Sequence, residues 1–231
     1  MKKIILTLIF IFSIFSLSNI TNTNAEYNNS SNANDELRYD ELLEKLNGLE
    51  RKVYEDNLIQ RVEFESEIII PSRIDIKYIE YAYNLADTLK LSARMVFRLM
   101  HTESRFNDTI VSPRGAYGLM QLMPSTRSDY YKLLRVDTLN LDYNQEDIYI
   151  GLNLFKDLFD YWRKRGNSER YSWKLALASY NSGKGTVIKY QGIPPIKETQ
   201  DFVAFIRRVH SNPDFYANYI RKYENSIKNG S

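Results

Sequence analysis

Residues 92–104 read SARMVFRLMHTES, and this stretch predicts the helix on which the rest of the interpretation depends. Ser92 is a residue type that commonly caps a helix N-terminus. Apolar residues then recur at three- and four-residue steps, namely Val96, Leu99 and Met100. This spacing predicts an amphipathic helix that ends near Ser104. Glu103 falls on the apolar face of that helix, one turn after its last large apolar residues.

Glu103 has the surroundings that a general acid requires. A carboxyl group at the edge of apolar packing is partly desolvated, which disfavours its charged form and raises its pKa. A raised pKa keeps a glutamate protonated near neutral pH, where it can donate a proton. The ordinary alternative is a solvated glutamate at a helix end. The motifs in the neighbouring sequence distinguish a general acid from such a surface residue.

The chain from residue 72 onward predicts a mainly α fold with little or no sheet. Residues 112–118 contain a proline and two glycines, so we expect a loop there. Pro124 is typical of a helix start. No internal repeat or strong hairpin signal is present in the second half. Helical spacing recurs in residues 76–89, 92–104, 146–165, 173–180, 201–209 and 214–227.

Residues 1–25 have the layout of a secretory signal peptide. Lys2 and Lys3 precede an apolar run over residues 4–17, and Ala25 ends the polar segment that follows. The apolar run is shorter than the roughly 20 residues that span a bilayer as a helix. We therefore predict an exported protein of the periplasm or outer cell envelope, without a stable membrane span after signal cleavage. A retained N-terminal anchor is the alternative.

Two segments separate the signal from the main domain, which we place at residues 72–231. Residues 26–36 are rich in Asn and Ser and predict a disordered linker. Residues 37–71 are expected to be helical and then extended, ending with three isoleucines and Pro71. The helical part carries an apolar stripe of Leu42, Leu46, Leu49 and Val53. Packing of this stripe on the domain is the favoured interpretation, because the heptads are few for a coiled coil. Docking of an envelope protein partner through residues 37–60 is the alternative.

Composition excludes several classes of function. The chain has 231 residues, with 31 basic and 29 acidic side chains, whereas a dedicated nucleic-acid binder usually carries a strong basic excess. There are no cysteines, so neither a disulfide framework nor a cysteine zinc site can form. Removing the predicted signal leaves a net charge near zero, so attraction to a polyanionic wall is not the main means of binding.

Three motifs follow one another in the chain. The pair Glu103-Ser104 ends the predicted helix over residues 92–104. Residues 115–126 read GAYGLMQLMPST, and residues 178–183 read ASYNSG. In this order and spacing they resemble the lytic transglycosylases of glycoside hydrolase family 23, which have a lysozyme-like helical domain with a glycan cleft. The resemblance covers about residues 74–223, and the middle run is its most specific part.

The resemblance implies a set of site residues. Glu103 would be the single catalytic acid/base, and Ser104 would help to orient it or the acetamido group of the substrate. Gly118 would let the backbone approach the sugar. The substrate would be peptidoglycan glycan strands, and no metal or organic cofactor would be needed.

The other implied site residues would bind the glycan. Met120 and Gln121 would line the cleft, with Gln121 offering amide hydrogen bonds to the sugar. Tyr180 and Asn181 would close the cleft opposite, with the Tyr180 hydroxyl near the catalytic carboxylate.

The sequence departs from the family pattern in two places. Ser179 and Ser182 replace the alanines of the third motif, and both changes are to small residues. The family's Glu-Thr pair is followed after two residues by a Tyr-Val pair, whereas here Glu198-Thr199 is followed by Phe202-Val203, so that a phenylalanine takes the place of the tyrosine. If the missing hydroxyl normally contacts Glu103 or the substrate, the activity or pH profile of this chain would differ.

The implied chemistry needs only one carboxylate. An ordinary glycosidase uses two, but the acetamido group of the substrate can take over the role of the second. Asp108 lies close to Glu103 in sequence and is interpreted as a loop residue. His101 is two residues from Glu103, so it points elsewhere and is interpreted as structural. A hydrolytic muramidase and a weakly active glycan-binding component of an envelope-spanning machine remain the alternatives.

Overall fold

The computed structural model describes residues 33–207 and residue 221, with side chains from residue 40 onward. Within these residues the fold is mainly α, as predicted. No strand forms there, and the only β pairing described consists of two isolated antiparallel bridges, Val111 to Tyr117 and Tyr117 to Leu122. The α-helices are α1 (Ala33–Ser66), α2 (Ile76–Thr88), α3 (Ala93–Ser104), α4 (Pro124–Leu133), α5 (Tyr143–Arg163), α6 (Glu169–Ser182), α7 (Lys184–Lys189) and α8 (Lys197–Arg207), with a 3₁₀ turn at Val136–Thr138.

The chain divides into two compact units, the first ending at Tyr54 and the second beginning at Glu55. In the first unit, α1 begins at Ala33, so residues 33–36 of the predicted linker are helical, and the rest of the linker lies outside the described residues. The predicted signal peptide also lies outside them. The apolar stripe from Leu42 to Val53 is exposed, at 43–63% of each side chain. The favoured expectation that the stripe is buried is therefore wrong for these four residues.

Helix boundaries in the second unit follow local capping chemistry. Asp75 accepts a hydrogen bond from the Lys77 backbone at the start of α2. Helix α3 starts after Ser92 as predicted, although the Ser92 side chain makes no capping hydrogen bond. Helix α4 has Pro124 in its first turn. Asp142 and Gln145 form a capping box, so α5 begins at Tyr143 rather than near residue 146.

Two other expectations about helices have different outcomes. Helix α8 begins at Lys197, four residues earlier than predicted, because its polar first turn hides the start of the apolar pattern. The predicted helix over residues 214–227 lies outside the described residues. The extended stretch before Pro71 is present, and its isoleucines alternate between buried, exposed and buried.

The core of the second unit is built around α5 and α6, which pack together, while α8 packs on α6 and α3. The Trp162 indole N–H donates to the Ser179 hydroxyl at 2.9 Å, which ties α5 to α6 inside the core. Helix α3 is nearly all buried over residues 96–100. Helix α3, which carries Glu103 in its last turn, packs on α2 and α8, so tertiary packing fixes its position. None of the helices within the described residues is long and apolar enough to cross a membrane.

Candidate active site

Glu103 lies in the last turn of α3, where the chain leaves the helix abruptly. Arg105 and Phe106 both have positive φ values, 50° and 59°, which turn the backbone sharply after the helix. The Ser104 hydroxyl donates to the Met100 carbonyl and accepts from the Phe106 backbone N–H, both at 3.1 Å. Ser104 is buried and does not line the cavity described below, so its visible role is to stabilise the helix end that carries Glu103.

The pKa of Glu103 is raised to about 8. Burial is the largest cause, followed by the negative charges of Glu198 and Asp147. Burial penalises the charged carboxylate, and nearby negative charges penalise it further. Glu103 is therefore protonated at neutral pH and can serve as a general acid, as its position on the apolar face predicts.

Residues 118–121 form a tight turn beside Glu103. Gly118 and Gln121 have φ values of 87° and 49°. The Gln121 side-chain amide nitrogen donates to the carbonyl oxygens of Ile110 and Gly118, at 3.0 and 2.9 Å. Because both amide hydrogens are used within the protein, the free hydrogen-bonding atom of Gln121 is its acceptor oxygen.

Gly118 and Met120 serve the turn rather than lining the cavity. A Cβ at Gly118 would come within 2.8 Å of Asp147 Oδ2, so the glycine leaves room for that carboxylate. The Met120 side chain is fully buried, and a Cβ at Gly151 of α5 would come within 2.7 Å of it. The Met120 side chain therefore lies in the core instead of lining the cavity as the resemblance implied, and the lack of a side chain at Gly118 makes room for Asp147.

Tyr180 and Asn181 lie at the C-terminal end of α6, opposite the turn. The Tyr180 hydroxyl donates to the Met120 carbonyl oxygen at 2.8 Å. Burial and the nearby negative charges of Glu103 and Asp147 raise the pKa of Tyr180 well above its ordinary value, so its hydroxyl stays neutral. The Asn181 side-chain oxygen accepts from the Thr199 hydroxyl at 2.7 Å, which ties the end of α6 to α8.

These elements line a cavity of about 500 Å³ that is open to solvent. It brings together four of the sequence-predicted residues, Glu103, Gln121, Tyr180 and Asn181. Ser104, Gly118 and Met120 do not line it. The remaining lining residues are Ser112, Pro113, Arg114, Ala116, Met123 and Glu198.

Glu198 is the functional candidate that sequence reasoning missed. It is exposed at the start of α8 and lines the same cavity as Glu103. Glu198 belongs to the Glu198-Thr199 pair of the family pattern, but the departure from that pattern lies at the residue three positions after the pair. That residue, Phe202, is buried in the hydrophobic core and does not line the cavity.

Two nearby residues interpreted as structural lie outside the cavity. His101 stacks on Phe205, with ring centroids 6.0 Å apart, and burial lowers its pKa. Asp108 lies in a turn and accepts a hydrogen bond from the Asn144 side chain at 2.9 Å. Among the residues that the structure describes, no group of three His, Cys, Asp or Glu side chains is arranged to bind a metal ion.

The chain matches the family model for the transglycosylase SLT domain over residues 80–203, which is more than half of its length. The chain therefore belongs to this family, and the resemblance drawn from the three motifs is confirmed.

Several solved structures are similar to the chain at 21% identity. One is a 70-kDa soluble lytic transglycosylase in complex with bulgecin A (TM-score 0.48, covering 66% of this chain and 25% of that one). Another is the soluble lytic transglycosylase SLT70 from Escherichia coli (TM-score 0.46, 66% and 25%). A third is an inactive mutant of the lytic transglycosylase Slt from Pseudomonas aeruginosa (TM-score 0.45, 68% and 26%). The chain thus spans about a quarter of the length of these proteins.

Proposed function

We propose that this protein is a peptidoglycan lytic transglycosylase. It cleaves the bond between N-acetylmuramic acid and N-acetylglucosamine and forms 1,6-anhydro-N-acetylmuramic acid, with Glu103 as the acid/base. The observation that carries the proposal is a glutamate with a pKa of about 8 in a cavity lined by Gln121, Tyr180 and Asn181. Membership of the SLT domain family supports the same chemistry.

In the first step, protonated Glu103 donates its proton to the glycosidic oxygen. The bond between that oxygen and C1 of the muramic acid breaks, and the N-acetylglucosamine side leaves as an alcohol. The acetamido oxygen of the muramic acid stabilises the positive charge at C1, as in substrate-assisted glycosidases. Glu103 is now a carboxylate.

In the second step, the Glu103 carboxylate takes the proton of the C6 hydroxyl of the same sugar. The C6 oxygen bonds to C1 as its proton leaves, which neutralises the positive charge that the acetamido oxygen had stabilised. Glu103 returns to its protonated form, and no water is consumed. One group therefore serves as acid and then as base, which suits a carboxyl group whose pKa lies near the operating pH.

Glu198 contributes charge to this cycle. Its negative charge raises the pKa of Glu103 and so favours the protonated form that starts the reaction. The same charge would stabilise a cation that develops in the cavity. Burial alone is the larger cause of the Glu103 shift, so Glu198 tunes the acid rather than creating it.

Glu198 also favours a second candidate function, a hydrolytic muramidase. A second carboxylate in the cavity could activate a water molecule for attack on C1, as in glycosidases that use two carboxylates. The exposed position of Glu198 gives water ready access to it. The products of the two functions differ in mass by one water molecule, because hydrolysis adds water across the cleaved bond and intramolecular transfer does not.

Mass spectrometry of digested peptidoglycan separates the two functions. Purified protein is incubated with sacculi, and the released muropeptides are analysed without reduction. We expect products that end in anhydro-muramic acid, each lighter by one water than the hydrolysis product. Products carrying the added water would establish the muramidase, and Glu103→Gln would release neither.

The exposed stripe from Leu42 to Val53 favours a non-catalytic alternative, in which a weakly active domain is docked in an envelope-spanning machine. Wall clearing by wild type and Glu103→Gln distinguishes this role from the enzyme. Equal clearing, or none from either protein at any pH between 5 and 9, would favour the binding role. Export to the periplasm or outer envelope remains part of the proposal and is tested by fractionation of cells.

A further inference from the structure

Asp147 is a fully buried carboxylate that the proposed reaction does not use. It lies near the start of α5, with no solvent exposure. A buried carboxylate is costly unless it is paired with a charge and hydrogen-bonded. The contacts that offset this cost show what the group holds in place.

The two oxygens of Asp147 bind different partners. Oδ2 accepts a hydrogen bond from the Met120 backbone N–H at 2.8 Å, and the Leu119 backbone N–H also contacts the carboxylate. Oδ1 lies 3.2 Å from a guanidinium nitrogen of Arg127 in α4, whose other terminal nitrogen binds Glu146 at 2.9 Å. The carboxylate therefore links the turn at residues 118–121 to α4 and α5.

Both backbone polar groups of Met120 are used in this arrangement. Its N–H donates to Asp147, and its carbonyl oxygen accepts from the Tyr180 hydroxyl. The absence of a side chain at Gly118 leaves room for the carboxylate to approach the turn. Gln121, the next residue in the chain, has a positive φ and lines the cavity.

We propose that Asp147 is a positioning residue for this active site. Held by Arg127, it fixes the turn at residues 118–121 and, through the Met120 carbonyl, the orientation of Tyr180 beside Glu103. The inference rests on the proposed function for its catalytic consequence, but the contact itself does not depend on it. An asparagine would present an N–H group either to Arg127 or to the turn, where each neighbour is already a donor.

The negative charge of Asp147 also acts on the active site. It raises the pKa of Glu103 and of Tyr180. Burial raises the pKa of Asp147 itself to about 6, against the opposing effects of its backbone hydrogen bonds and Arg127. The charged and titratable groups that face Asp147 are Arg127 from α4, Glu103 from α3, Tyr180 from α6, and Tyr143 and Glu146 from its own helix.

The test compares Asp147→Asn with Asp157→Asn. Asp157 lies on the same helix, is exposed, and bonds the Tyr130 hydroxyl of α4 at 3.0 Å, so its replacement removes an equal charge far from the turn. We expect Asp147→Asn to lower kcat about tenfold with KM within about twofold, because the lost contact misplaces groups that act in the transition state. The alkaline limb of its activity profile moves to lower pH. An Asp147→Asn protein that matches Asp157→Asn in both respects overturns the proposal.

Two further measurements keep the proposal testable if Asp147→Asn does not fold or wild type is inactive. Arg127→Gln removes the counter-charge of Asp147, so we expect the acid limb of activity to move to higher pH, and an unmoved limb would count against the proposal. NMR titration of the Glu103 carboxyl carbon needs no activity. It should give a lower pKa in Asp147→Asn than in Asp157→Asn, and equal values would overturn the inference while leaving the proposed function untouched.

Discussion

The Tyr180 hydroxyl donates a hydrogen bond to the Met120 carbonyl oxygen at 2.8 Å, joining two motifs that lie 60 residues apart in the sequence. This contact joins the turn to the end of α6, and Gln121 of the turn and Tyr180 both line the cavity. It also places a phenol that stays neutral close to the carboxyl group of Glu103. Several of the predictions below depend on this arrangement.

Replacing Tyr180 by Phe keeps the ring and removes the hydroxyl. The Met120 carbonyl then loses its side-chain donor, and we expect the free energy of unfolding to fall by about 1–3 kcal/mol. We expect kcat to fall about tenfold, because the turn beside Glu103 is no longer held from α6. Thermal unfolding and the initial rate of muropeptide release measure the two effects. Wild-type kcat in a folded Tyr180→Phe protein would show that the hydroxyl has no role in the reaction.

Replacing Glu103 by Gln should abolish activity and stabilise the protein at alkaline pH. The folded-state pKa of Glu103, about 8, lies above its ordinary value of 4.5, so the folded state binds the proton more tightly. The stabilisation is complete below pH 4.5 and is lost as pH rises to 8, a change on the order of a few kcal/mol. The glutamine variant lacks this loss, so its Tm at pH 9 should exceed that of wild type by several degrees. Equal Tm values at pH 9 would contradict the buried-acid assignment.

Activity should fall as pH rises through about 8, because Glu103 must be protonated to donate its proton. Replacing Glu198 by Gln removes a negative charge from the cavity, so the pKa of Glu103 falls and this limb moves to lower pH. Asp201→Asn is the matched control, since Asp201 lies on the same helix and pairs with Lys197 at the surface. The measurement is kcat against pH for the three proteins. A limb that does not move in Glu198→Gln would remove Glu198 from the electrostatics of the site.

Replacing Gly151 by Ala should disturb the turn from behind. The added Cβ would come within 2.7 Å of the Met120 Cβ, which cannot move without its backbone. We expect a loss of about 1–3 kcal/mol in unfolding free energy, together with a lower kcat. Gly185→Ala in α7 is the control, because a Cβ there has nothing within 4 Å. If both variants unfold at the wild-type temperature, the packing of Met120 against α5 is looser than the structure indicates.

Local patterns were sufficient for the main helices and for the burial of Glu103. The apolar spacing from Val96 to Met100 predicted α3 and placed Glu103 on its buried face, and burial is the largest cause of its raised pKa. Helix starts were less accurate where a polar first turn precedes the apolar pattern, as in α5 and α8. A capping box explains the early start of α5, but its residues also occur in ordinary turns.

The directions of side chains in the turn could not be predicted. Gln121 enters the cavity, whereas Met120 enters the core, although the two are adjacent in one motif. The positive φ at Gln121 helps to set the direction of its side chain, and sequence alone does not indicate such a conformation outside glycine. The sequence did not indicate that Asp147 is buried, because one acid on an amphipathic helix resembles any surface charge.

The amino-acid sequence by itself determined the helical class of this protein, its family and the place of Glu103 on a buried helix face, because these depend on spacing within short segments. Only the tertiary structure decided which groups surround that acid. Glu198 and Asp147 come from helices far along the chain, and both raise the pKa of Glu103. Charges act through space over several ångströms, so their effect depends on how the helices pack rather than on how the residues are ordered.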